Sequence, residues 1–238
     1  MATATAAATS TGTAEELIVK ATPSIDIPAD VQGKIGRLMQ SIKANITQKT
    51  DAYLERVAAN AGLESGEPAL PGGYQYQNIV AVGPFQGFGG LGPYRPSKII
   101  AAGELAVIFA IHWNNPAPSP GGGLPGTIIM GGRNWRLRFE TMNLSTVSNG
   151  PDQTLTGTFP GVAPVVSVFP FAFVPTDPGV NPNLFESNIT FDLTLSGQPI
   201  AAFATQWFDP EGDPPFLGLP GKPAGWQNGP VRYMAYRR

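Results

Sequence analysis

Leu105-Ala106-Val107-Ile108-Phe109-Ala110-Ile111-His112-Trp113 is the stretch on which the fold turns. Bulky residues at 105, 107, 109, 111 and 113 alternate with Ala106, Ile108, Ala110 and His112. A period of two is the signature of a strand. Both faces are apolar, so this strand calls for a central position with cover on each side.

One cover is a second sheet, and the rest of the chain supplies the strands for it. Tyr74, Tyr76, Ile79 and Val80 begin a first strand. Trp135, Leu137 and Phe139 alternate with Arg136, Arg138 and Glu140, the pattern of a half-exposed strand. Leu155 to Phe159 and Val165 to Val174 follow, and Pro170 places the latter at an edge or a bulge. Ile189 to Leu195 turns through Ser196-Gly197-Gln198-Pro199 into Ile200 to Phe208, the clearest hairpin signal. Val231 to Tyr236 closes the series. About eight strands without helical crossovers predict an antiparallel β-sandwich, jelly-roll-like in class, over 64–238. The 29 Gly and 25 Pro lie between apolar runs, where they read as turns.

A candidate for the other cover is the one long Pro-free stretch, Ala29 to Gly62, inside a helical region 24–63, which could pack along its own sandwich or against the helix of another subunit. Asp26 and Asp30 flank Pro28 and suit a first turn. Val31, Ile35, Leu38, Ile42, Ile46, Tyr53 and Val57 recur at helical spacing on one face. Lys34, Arg37, Lys43 and Lys49 mark the opposite face, and Gly62 stands where a C-cap belongs, with Leu63 beside it. The stripe's repeat is near 3.67, so no left-handed supercoil is expected. Such a helix is about 50 Å long, against about 17–20 Å for an ordinary strand. The seven stripe residues are therefore expected to outrun their own sandwich and form contacts between subunits. Residues 1–23, rich in Ala and Thr, read as a flexible arm whose Leu17-Ile18-Val19 could add a strand to a neighbour's sheet edge.

Composition narrows the function. Charged residues are 13% and net charge is −2, so no basic field exists for nucleic acid. Low charge also favours association. There is no Cys and one His, which removes disulfides, thiolate chemistry and Cys-rich zinc sites. His112 lacks neighbours for a triad or a metal site and reads as structural. No apolar run spans a bilayer, and Met1 to Thr5 does not begin a signal peptide, so the cytoplasm is the default compartment. The sequons at Asn45, Asn143 and Asn188 then carry little meaning.

Four features offer chemistry. The loop Gly83 to Tyr94 has the glycines of a phosphate loop but lacks the Lys-Ser/Thr and the following helix. Its Phe85, Phe88 and Tyr94, with Trp226, are candidates for a glycan or small-ligand surface. Asp209, Glu211 and Asp213 alternate on a loop, as Ca²⁺ ligands can, although no EF-hand loop is present and no cofactor is otherwise expected. A carboxylate enzyme would pair Glu211 with Asp192 or Glu140 across a groove. The favoured expectation is a non-enzymatic, self-assembling structural protein, with the ligand module and the carboxylate enzyme as alternatives.

Overall fold

The computed structural model describes residues 25–60, 76–118, 123–195, 198–217, 226–227 and 229–238. The arm at 1–23, Gly62, Leu63 and Tyr74 lie outside the described residues, as do the side chains of Val57 and Trp226.

Helix α1 is Ala29–Asn60. It begins where Pro28 fixes the backbone, and the Pro28 carbonyl accepts from Gln32 N at 2.9 Å. The Gln32 side chain reaches back to the Ile27 carbonyl at 2.7 Å. Asp30 sits in the first turn, near the positive end of the helix dipole, and pairs with Lys34 at 3.4 Å.

The strands follow as β1 (Gln77–Phe85), β2 (Ile99–Ala101) and β3 (Ala106–Asn114). After a short helix α2 (Gly126–Ile129) come β4 (Asn134–Asn143), β5 (Ser148–Asn149), β6 (Gln153–Thr158) and β7 (Val166–Phe173). The series ends with β8 (Asn183–Leu195), β9 (Gln198–Phe203), β10 (Thr205–Trp207), β11 (Trp226–Gln227) and β12 (Val231–Tyr236). They form two sheets. The five-stranded sheet runs β11-β10-β1-β3-β7; the seven-stranded sheet runs β2-β12-β8-β4-β5, with β6 also beside β4 and β9 beside β8.

The expected sandwich is present, but its sheets are mixed. β1 pairs with β10 and β12 with β2 in parallel. For β10 the reason lies at Ala204, which is buried and donates to the Ile189 carbonyl at 2.9 Å. There the hairpin's second arm leaves β8 and crosses to the other sheet, arriving beside β1 in the same direction.

β3 is central, between β1 and β7, and all nine of its residues are buried. Val107, Phe109, Ile111 and Trp113 face the helix; Ala106, Ile108 and Ala110 face the second sheet. The small side leaves room for rings from across the gap, Trp135, Phe139 and Phe191, and Phe139 stacks on Phe171 of the neighbouring β7 at 4.9 Å. The molecule therefore has three layers: helix, five-stranded sheet, seven-stranded sheet.

The helical stripe corrects one expectation. Ile35, Ile42, Ile46 and Tyr53 are buried within the single chain, and Val31 and Leu38 pack half-buried against the same core. Strand length was the wrong ruler for this helix. Loops extend its bed: Phe88 beneath one end, and Phe216 and Leu217 of the 3-10 turn Pro215–Leu217, with Phe216 stacked on Trp113 at 5.1 Å. Two residues expected on the solvent side, or left unassigned, tie these loops down. Lys34 donates to the Phe88 carbonyl at 2.7 Å, and Asn45 to the Pro210 carbonyl at 2.8 Å. Inside, Trp113 Nε1 donates to Thr50 Oγ1 at 3.2 Å, and Thr50 donates on to Ile46 O.

Sheet edges are closed by side chains. On β7, Ala172 O points away from β3 and accepts from Gln153 Nε2 at 2.7 Å. Pro170, two residues earlier, therefore turns its ring nitrogen to the same outer side, where no ladder bond is lost. On β2, the Gln86 side-chain amide bonds both Ala101 N (2.7 Å) and Ala101 O (2.9 Å), and Ser97 Oγ does the same for Ile99. These edges offer little to an added strand.

Candidate functional site

Among the described residues no helix lies on the outer face of the seven-stranded sheet. Alternation along β4 sends Trp135, Leu137 and Phe139 inward and Arg136, Glu140 and Met142 outward. β8 and β12 obey the same rule: Phe185 and Tyr233 go in, while Leu184, Glu186, Arg232 and Met234 go out.

Register then builds a pattern from four strands. Met234 lies opposite both Ile99 and Leu184, and Leu144 N donates to Leu184 O at 2.8 Å. Ile99, Met234, Leu184 and Leu144 thus form one apolar row, exposed by 60%, 39%, 37% and 37%. In the next row Arg232 and Met142 both flank Glu186. Arg232 and Glu186 form a 2.7 Å ion pair, and Met142 is 45% exposed. Farther along, the face is ionic: Arg136 pairs with Asp192 at 3.1 Å, and Arg138 lies 3.6 Å from Glu140 and 3.7 Å from Asp192. The face therefore has a contiguous apolar row at one end and charge pairs at the other, with Phe203 of β9 a single exposed ring beside them.

The apolar row stands on a firm base. Beneath it Tyr233 stacks on Phe185 at 5.4 Å and meets Phe173 at 5.5 Å. Burial pushes the Tyr233 hydroxyl above its usual range, although hydrogen bonds with Ser187 and Thr141 oppose the shift. Thr141 and Ser187 also bond each other at 2.8 Å.

A second feature lies where the start of α1 meets the Gly-rich loop. A cleft of about 540 Å³ is lined by Pro28, Val31, Phe88, Leu105 and Val174, with Asp26, Glu104 and Arg238 contributing charge. Arg238 bonds the Glu104 carboxylate.

The sequence-based ligand residues fare unevenly. Phe85 is fully buried, edge-on to Phe109 at 5.5 Å, and belongs to the core because β1 extends to include it. Phe88 lines the cleft but is 3% exposed and presents no ring face. Tyr94 tilts against Phe88 at 4.9 Å and donates to the Gly90 carbonyl at 2.8 Å, which shapes the loop.

Asp209, Glu211 and Asp213 do not converge: among the described residues no group of three acidic, His or Cys side chains could hold a metal. Asp213 pairs with Lys49 at 2.7 Å, and Asp209 Oδ1 accepts from Gly212 N at 3.0 Å. This loop docks onto the helix. Glu211 is accordingly on the helix side of the molecule, whereas Asp192 and Glu140 lie on the far sheet, already paired with arginines.

His112 is fully buried, stacked on Phe191 at 4.0 Å and near Phe159 at 5.6 Å, with Nε2 2.7 Å from Gln77 Oε1. Burial lowers its pKa to about 3, so it is neutral.

Sequence reasoning missed the apolar row. A local signal existed at Leu184-Phe185, where consecutive apolar residues in a strand force one outward. Its alignment with Ile99, Met234 and Leu144 depends on register between distant strands, which the sequence does not display.

No family model matches the chain, and no curated protein matches it. Among solved structures, the chain is similar to the CARDB domain of a Pyrococcus furiosus protein in complex with di-metal ions, at 10% identity and a TM-score of 0.25, covering 56% of this chain and 91% of that one. It is also similar to the alkylpurine DNA glycosylase AlkC of Pseudomonas fluorescens, bound to DNA containing an abasic-site analogue. There identity is 8% and the TM-score 0.26, over 80% of this chain and 43% of that one. Likeness at this level carries no argument about function. Among the described residues no helix is long and apolar enough to cross a membrane.

Proposed function

We infer that the protein is a non-enzymatic structural module that associates with itself, and that it does so through the free sheet face. The observation that carries this reading is the row of Ile99, Met234, Leu184 and Leu144. Exposed apolar residues scattered singly need no explanation, but a contiguous row on a rigid sheet favours a partner. The low charged fraction, 13%, weakens repulsion between copies. The sealed His112 and the paired state of Asp192, Glu140 and Asp213 lend little to catalysis.

Sedimentation equilibrium across a range of concentrations tests this. The account expects a mass that rises above the monomer's in the micromolar range. A strict monomer up to millimolar concentration would reject it.

The cleft beside Arg238 favours a second reading, a small-ligand or glycan site, because about 540 Å³ falls within the range of ligand pockets. A ligand-dependent thermal shift that Glu104→Gln abolishes would support that role.

A further inference from the structure

Resting on the self-association reading, we propose that the apolar row is covered by the same face of a second copy. The two copies are related by a two-fold axis that parallels the strands and lies over the boundary between β12 and β8.

The register selects this axis. A rotation about the strand direction keeps each row level with itself and reverses the strand order, so β2-β12-β8-β4 meets β4-β8-β12-β2. Ile99 then lies over Leu144 of the second copy, and Met234 over its Leu184. One row along, about 6.8 Å away, Arg232 lies over the second copy's Glu186, and Glu186 over its Arg232. Every charge in that row meets its opposite twice. The alternative two-fold, along the row, sets Arg232 against the second copy's Tyr236 and offers Glu186 no cation from the second copy beyond its own chain's Arg232. Charge complementarity thus distinguishes two packings that the apolar row alone would not.

Sheets packed face to face cross at roughly 30°. Contacts near the axis survive that angle best, and Met234, Leu184, Arg232 and Glu186 are the residues nearest to it. The ionic half of the face, around Arg136 and Asp192, lies farther along the strands and stays with solvent.

Two charge-reversed variants test the inference. Arg232→Glu makes the row all acidic; Glu186→Arg makes it all basic. Both residues are exposed or half-exposed, so folding survives, and circular dichroism checks it. Each variant alone is expected to associate at least about tenfold more weakly than the parent. An equimolar mixture is expected to recover the parent's association, because each copy then supplies what the other lacks. Leu184→Lys weakens association and is not rescued by either variant.

If the parent associates but the variants do so equally well, or the mixture gains nothing over its components, the interface is elsewhere and the inference fails while the self-association reading stands. If the parent is monomeric, both fail.

Discussion

The two sheets meet their outer surroundings in opposite ways. The five-stranded sheet lies under α1, and its central strand has no polar face. Among the described residues no helix covers the seven-stranded sheet, and its strands alternate, as β4 does with its pattern of exposed and buried residues. At one end the outward positions turn apolar across four neighbouring segments, where Ile99, Met234, Leu184 and Leu144 stand in line, whereas at the other end Phe203 is a single exposed ring. A covered sheet can afford apolar residues on both faces because the cover is part of the same chain. Among the described residues the apolar row has no such cover, and the association proposed above rests on that contrast.

The contrast breaks most visibly under truncation. Ile46, at the helix–sheet contact, is fully buried, and Ile46→Ala is expected to cost about 2–5 kcal/mol in denaturant unfolding. Leu184→Ala on the free face should change monomer stability by no more than about 0.5 kcal/mol. Equal losses at the two sites would mean that the faces are not as different as described.

A smaller effect sharpens the picture of the core between the sheets. His112 holds a folded-state pKa of about 3 against an ordinary 6.5. The unfolded chain therefore binds a proton first, so stability is full above pH 6.5 and falls as pH drops from 6.5 towards 3. The slope approaches about 1.4 kcal/mol per pH unit within that window. Melting of the parent and of His112→Phe between pH 7 and 4 checks this; the variant should show a shallower decline, and parallel curves would contradict the assignment.

Close packing at the β4–β6 contact predicts a comparable or lesser loss. A Cβ added at Gly157 would meet Trp135 Cζ2 at 2.5 Å, so Gly157→Ala should destabilise by about 1–3 kcal/mol. The least effect belongs to the helix's surface tie. Lys49→Met removes the pair with Asp213, which is partly exposed, and should cost under about 1 kcal/mol.

How much was legible in the chain follows from the range of each signal. The central strand, β4 and α1 carry their periods locally and stand where their patterns implied, while the expected arm Ile200 to Phe208 pairs with β8 only as far as Phe203. β2 is three residues long, too short to show a period. The crossing at Ala204 depends on which sheet has room for β10, which no local pattern records. The helix was legible but its cover was not, because Phe88 and Phe216 come from loops 128 residues apart in the chain, by their numbers. The free apolar row was the least legible feature, since its four residues come from β2, β12, β8 and the turn just after β4.

The central claim is that copies meet through the free sheet face while the helix stays with its own sheet. Methionine oxidation reports on this directly, because Met234 and Met142 stand on that face and Met39 is sealed on the inner side of α1, against the other sheet. Peroxide footprinting at low and high protein concentration should show Met234 losing reactivity as the protein associates, with Met39 slow throughout. If the protein associates and Met234 is oxidised equally fast at every concentration, copies meet elsewhere and the account is wrong.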